Sequence, residues 1–225
     1  MHCLWCDQEI IPEVTWQYLL FPEPPRKICS NCERGLVLLA GKRCSSCSRV
    51  TDQGICNDCR RFENDSAWKN VLTFNKSIYS YNGLLQEMIT KWKYRGDYQL
   101  REVFSYHFRD LFNQSFGKKQ VVVVPIPLSE QRLLERGFNQ AESLAQLLET
   151  PYQHLLTRIH GEKQSKKTRR ERIESENPFQ VLAQVSNPVV LIDDIYTTGT
   201  TLRHAARLLK DTGCPEVYSF TLARG

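Results

Sequence analysis

The stretch that decides the fold is VVLIDDIYTTGTT, Val189 to Thr201. Its first four residues are apolar and mostly β-branched, the pattern of a strand buried on both faces. Asp193 and Asp194 follow at the carboxyl end of that strand. Thr197, Thr198, Gly199, Thr200 and Thr201 then turn the chain into a helix expected to begin near Leu202. The N–H groups at a helix start are unpaired and favour an anion. Threonine hydroxyls add donors, and Gly199 allows close backbone approach. The turn holds no lysine and no GKT or GKS, so it is not the phosphate loop of a nucleoside triphosphatase. Two adjacent carboxylates beside a phosphate cradle suit the hydroxyls of a ribose. If the acids were only strand-end caps and the threonines an ordinary N-cap, the whole arrangement would be a coincidence.

Working outward, Leu202, Ala205, Ala206 and Leu209 carry helical spacing after the turn, and Val217–Leu222 reads as a closing strand. Upstream, VVVVPIP (Val121–Pro127) is a second buried strand stopped by proline. Ala141, Leu144, Ala145 and Leu148 mark one helix, and Leu85, Met88, Ile89 and Trp92 another. A further helix is expected over roughly Gln99–Phe112. Helices alternating with apolar strands predict an α/β fold with a mainly parallel sheet and flanking helices. Ligands bind such sheets beyond the carboxyl ends of the strands.

Eight of the nine cysteines fall before residue 60, as the pairs Cys3/Cys6, Cys29/Cys32, Cys44/Cys47 and Cys56/Cys59. Each C-x-x-C pair supplies one edge of a tetrahedral site, so two pairs close a structural zinc site with no open position. Sequential pairing of the four pairs gives two ions, and cross-braced pairing is the alternative. A disulfide framework would need an oxidising compartment. The beginning, MHCLWCDQEI, has no basic region followed by an apolar stretch, so no signal peptide is expected. No apolar run reaches the ~18 residues of a membrane span. A cytoplasmic protein is expected, with no direct membrane insertion.

The cysteines divide the chain into a zinc-ribbon module at 1–70 and a larger domain at 71–225. The module holds nine basic and nine acidic residues, whereas the rest holds 21 against 16. The larger domain is therefore the part expected to meet a polyanion.

Val189–Thr201 resembles the signature of type I phosphoribosyltransferases. The resemblance implies that Asp193 and Asp194 hold the ribose hydroxyls of phosphoribosyl pyrophosphate. Thr197 to Thr201 would hold its 5-phosphate, and magnesium would accompany the pyrophosphate. The order of further motifs narrows this: cysteine pairs, KYRGD (Lys93–Asp97), VVPIPLS (Val123–Ser129), RGFNQA (Arg136–Ala141), then the phosphate turn. That order is similar to the ComF family of competence proteins over nearly the whole chain. It implies a double zinc ribbon before a phosphoribosyltransferase-like domain. It also implies a role in natural transformation, handling single-stranded DNA, and a DEAD-box-like competence helicase of the ComFA type as partner. Such a partner would place the protein at the inner face of the membrane.

Other residues are candidates for pyrophosphate or DNA. In the phosphoribosyltransferase fold the loop after the Val121–Pro125 strand faces pyrophosphate. Here that loop, Ile126–Ser129, lacks glycine and basic residues, but Arg132 and Arg136 follow. Both could also be a solvated helix face. Asn139 and Gln140 suit either a ligand or a helix cap. Lys93 and Arg95 interleave with Trp92 and Tyr94, as in single-strand binding by charge and stacking, although Trp92 also lies on an apolar helical face. Lys163, Lys166, Lys167, Arg169, Arg170 and Arg172 oppose Glu171 alone. They sit where phosphoribosyltransferases carry a loop that closes over pyrophosphate, and six charges suit a longer polyanion; a solvated face is the alternative.

No catalytic residue is legible, because neither a general base nor a base-recognition hood can be identified. Three functions follow. The first is a DNA-uptake factor that binds a phosphorylated ribose. The second is an active phosphoribosyltransferase, of the pentosyl-transferring class, releasing pyrophosphate with an unidentified acceptor. The third is a zinc-dependent scaffold for the helicase.

Overall fold

The computed structural model describes residues 1–11, 16, 20, 26–159 and 177–225. Its cysteine pairs are built twice to one plan. Cys3 and Cys44 each open a tight turn, closed by Asp7 N–H donating to the Cys3 carbonyl and Ser48 N–H to that of Cys44. Asp7 and Ser48 are left-handed, with φ of 62° and 63°. The other pairs start helices: Cys29 precedes α1 (Ser30–Arg34) and Cys56 precedes α2 (Asn57–Asn64).

After α2 the chain forms β1 (Asn75–Ser80) and α3 (Gly83–Tyr94), the latter begun by Asn82, whose side chain accepts from Leu85 N–H. Tyr98–Phe104 is a 3-10 helix that runs into α4 (Ser105–Phe116). Then come β2 (Val122–Pro125), α5 (Glu130–Arg136) and α6 (Gln140–Ala145). A short antiparallel pair, β3 (Leu156–Arg158) and β4 (Phe179–Val181), stands apart from the main sheet. The chain closes with β5 (Val189–Tyr196), α7 (Thr200–Asp211) and β6 (Val217–Arg224).

The main sheet runs β1–β6–β5–β2, and every neighbouring pair is parallel. Its two faces explain the unbroken apolar run at Val189–Ile192. Val190 and Ile192 join a cluster with Trp92, Phe104, Phe108 and Phe220. Val189 and Leu191 join one on the other face with Leu202, Ala205, Ala206 and Leu209. Alternate side chains thus enter opposite cores, and none can be polar until the strand emerges at Asp193.

The helical spacings hold except at Leu148, which is buried but lies beyond the end of α6 at Ala145. Leu85, Met88, Ile89 and Trp92 are all buried, so Trp92 is core and offers no stacking face. The helix expected over Gln99–Phe112 begins instead as a 3-10 turn and continues to Phe116. Leu100 and Val103, three apart, share one side of the 3-10 turn and are both buried.

Strand β1 escaped the sequence reading because its buried positions include polar residues. Asn75 Nδ2 donates to Ser77 Oγ at 2.7 Å, and Ser219 Oγ donates to Asn75 Oδ1 at 2.9 Å. Ser77 and Thr221 hydroxyls lie 2.7 Å apart. The network reaches the second cysteine segment, where Ser48 Oγ donates to the Asn75 carbonyl and Asn75 N–H donates to the Ser46 carbonyl. All four cysteines of that segment belong to the same core as α7. Among the described residues no helix is long and apolar enough to cross a membrane.

Candidate functional site

The site forms where β5 leaves the sheet. Asp193 still pairs in register with Thr221 of β6, and its Oδ1 accepts from Asp194 N–H at 2.9 Å. The turn bends at Gly199, whose φ is 77°, and α7 begins at Thr200, two residues earlier than expected. Thr198 and Thr200 hydroxyls lie 2.9 Å apart. Asp193, Asp194, Thr197, Thr198, Thr200 and Thr201 line a cavity of about 320 Å³.

The opposite wall is cationic. Lys93 at the end of α3, Arg132 and Arg136 on α5, and Arg158 on β3 all line the cavity. Lys93 pairs with Asp194, and the two side chains are only 15% and 14% exposed. Arg136 donates to Gln140 Oε1 at 2.8 Å and lies 5.5 Å from the ring of the exposed Tyr94. Asn139 accepts from Ala141 N–H and donates to the Ile126 carbonyl, so it serves as a cap and loop tie. Ser129 caps α5 by accepting from Arg132 N–H.

Of the candidates drawn from the sequence, the structure brings together Asp193, Asp194, Thr197, Thr198, Thr200, Thr201, Lys93, Arg132, Arg136, Asn139 and Gln140. Gly199 forms the bend without lining the cavity, and Arg95 is exposed outside it. Lys163, Lys166, Lys167, Arg169, Arg170 and Arg172 lie outside the described residues. Arg158 was missed: it ends a strand of three residues, shorter than any run that periodicity resolves. A lone arginine after Leu155 and Leu156 was the available signal.

Crowded charge and burial shape the titration. Burial pushes the Asp193 carboxyl up to about 6, against the opposing pull of Lys93, Arg158 and Arg136. Burial pushes Lys93 down to about 8, and nearby Arg136 and Arg132 add to this while Asp193 opposes it. Four cations thus face two carboxylates, an imbalance that an anionic ligand would correct.

Two further groups could hold metal. The Sγ atoms of Cys3, Cys6, Cys29 and Cys32 lie within 4.8 Å of one another, as do those of Cys44, Cys47, Cys56 and Cys59. This is the sequential pairing. Cys6–Cys29 and Cys47–Cys56 sulfur separations are both 3.7 Å. A tetrahedron with metal–sulfur bonds of about 2.3 Å has an edge of about 3.8 Å, whereas a disulfide spans about 2.05 Å. The donor set therefore fits a four-thiolate ion and not a disulfide.

A parallel sheet carrying two acids and a Thr/Gly turn at its carboxyl edge defines a phosphoribosyltransferase-type domain, and the family model "Phosphoribosyl transferase domain" matches residues 104–225. At the level of the whole chain the likeness is more specific. The competence protein ComFC of Bacillus subtilis (strain 168) is 40% identical, covering 99% of this chain and 94% of that protein. The ComFC of Streptococcus pneumoniae (strain ATCC BAA-255 / R6) is 32% identical over the full length of both. The DNA utilization protein YhgH of Escherichia coli (strain K12) is 25% identical over 88% of this chain and 96% of its own. The chain belongs to the ComFC family of competence proteins.

Proposed function

We propose that this protein is a competence factor, required for natural transformation, whose larger domain at 71–225 binds phosphoribosyl pyrophosphate or a related ribose 5-phosphate. One observation carries the reading: a cationic cavity walled on one side by adjacent acids and a threonine turn. Asp193 and Asp194 would receive the two ribose hydroxyls, and Thr197–Thr201 the 5-phosphate. Lys93, Arg132, Arg136 and Arg158 would face the pyrophosphate, and magnesium, when bound, would help neutralise its charge. In the module at 1–70, the two four-cysteine groups would each hold a structural zinc ion. Single-stranded DNA, the expected polyanion, would be met by the basic sequence segment Lys163–Arg172, which lies outside the described residues. A ComFA-type helicase is the proposed partner, with the protein acting on the cytoplasmic side.

Two neighbouring acids call for two hydroxyl donors, and a 2-deoxyribose lacks one of them. DNA is therefore expected to bind outside the cavity. The test is to titrate phosphoribosyl pyrophosphate and single-stranded DNA separately and together. The Asp193→Ala/Asp194→Ala variant should lose the small ligand and keep DNA. Charge reversal at Lys166, Lys167, Arg169 and Arg170 should weaken DNA binding and flatten its salt dependence. Competition between the ligands in the wild type, or DNA loss in the acid variant, would refute separate sites. Pyrophosphate release with any acceptor from a broad panel of bases and amines would instead establish turnover.

Affinity for phosphoribosyl pyrophosphate should follow a bell against pH. It should rise as Asp193 ionises near pH 6 and fall as Lys93 loses its proton near pH 8. A flat profile across that window in calorimetric titrations would remove both residues from the binding step.

A further inference from the structure

We propose that Arg224 is a positioning residue that links the second cysteine group to the phosphate turn, so that metal binding and ligand binding support one another. The inference rests on the reading of Thr197–Thr201 as the phosphate site. Arg224 ends β6 and is 5% exposed. Its Nε has no hydrogen-bond partner. One nitrogen, Nη1, donates to the carbonyls of Tyr196 and Thr197, each at 3.0 Å, and to an oxygen of Gly225. The other, Nη2, donates to Cys47 Sγ at 3.6 Å. A single buried cation thus ties a thiol of the cysteine group to the first residues of the turn.

The charge relation gives the link its direction. A buried guanidinium needs a counter-charge. Four thiolates around one divalent ion carry a net charge of about −2, which Arg224 meets through its contact with Cys47. Loss of the ion would remove the shared tether to Cys44, Cys56 and Cys59 that holds Cys47 Sγ against the guanidinium. Hydrogen bonds of this kind to a ligand sulfur orient the ligand and tune its affinity for metal. A second contact runs in parallel. Arg203 of α7 stacks 4.1 Å from the ring of Phe62 on α2, and His204 meets Trp68 edge-on at 4.9 Å. The helix that starts at the phosphate turn therefore rests on the helix that starts at Cys56. Tyr196 completes the path: its ring lies under Gly199, and the Arg224 guanidinium is 5.0 Å from it.

Coupling between two sites is reciprocal. The test uses the full zinc-loaded chain and follows zinc release to a colorimetric chelator with and without phosphoribosyl pyrophosphate. Release from the first group, which includes the exposed Cys6, should be indifferent to the ligand. Release from the second group should slow by about tenfold at saturating ligand. In Arg224→Met the ligand should no longer change the second rate, and affinity for the ligand should fall by a similar factor. Arg224→Lys should restore part of both effects. A wild type that binds the ligand with no change in zinc release would overturn the link and leave the phosphate site standing. A wild type that binds no phosphoribosyl pyrophosphate would overturn both. Equal slowing in wild type and Arg224→Met would show coupling that does not pass through Arg224, and would also overturn the proposal.

Discussion

Gly199→Ala should lose phosphoribosyl pyrophosphate binding and destabilise the fold by about 2–5 kcal/mol, the sum of a backbone cost and a packing cost. Gly199 has φ of 77°, and an L-residue in that left-handed region costs roughly 1–2 kcal/mol. A Cβ there would also stand under 3.0 Å from Tyr196 Oη, Cζ and Cε1. Tyr196 is 1% exposed with Arg224 beside its ring, so it cannot swing aside, and overpacking of this kind costs about 1–3 kcal/mol. For a chain of this size each kcal/mol moves Tm by about 2–4 °C. In a Tyr196→Leu background the clash is relieved and only the backbone cost of the alanine remains. The pair of variants therefore separates the two causes by their non-additivity. An unchanged Tm in Gly199→Ala would show that the turn does not bend as described.

Asp193→Asn should do the opposite to stability while still harming function. The folded-state pKa of Asp193, about 6, lies above the ordinary carboxyl value of 3.8. The native state therefore holds the proton more tightly than the unfolded chain between those values. Across that window stability falls as pH rises, and above it the ionised carboxylate is a full burden of about 3 kcal/mol. The neutral amide removes that burden. Its Oδ1 can still accept from Asp194 N–H. Thermal unfolding should show that Asp193→Asn raises Tm at pH 7, with the gain shrinking as pH falls and vanishing below about pH 4. Calorimetry should show ligand affinity reduced, because an amide cannot accept from the ribose hydroxyls as a carboxylate does. A Tm gain that persists unchanged at about pH 4 would assign the effect to packing instead of charge. Stability given up at a binding site is the common trade-off.

The two acids and the turn were legible because one short segment holds both the structural and the chemical signal. Val189–Ile192 must be apolar to enter two cores, and polarity returns at the point where the sheet ends. The cysteine groups were legible for a similar reason, since a pair three apart already states its geometry. Residues joined across the fold were not legible. Asn75 and Ser77 look like a loop until Ser219 and Thr221 are placed beside them. Arg158 becomes a cavity residue only when β3 is brought across from α5. Lys93 and Arg95 are two apart in one motif, yet the end of α3 sends the first inward and leaves the second in solvent. Asn139 could be read as ligand or cap, and it caps through Ala141 and Ile126 while also lining the cavity.

The Lys93–Asp194 pair also sets the terms on which a ligand can enter. A neutral sugar that reaches for Asp194 would have to separate a buried cation from its counter-ion and leave Lys93 with nothing in return. A sugar bearing negative charge near the same carbon framework can do both at once, offering hydroxyls to the carboxylate and phosphate oxygens to the ammonium. Binding is then an exchange of one internal ion pair for two contacts with the ligand. On the proposed reading the cavity would discriminate by charge before shape, turning away free ribose while admitting a ribose that carries pyrophosphate.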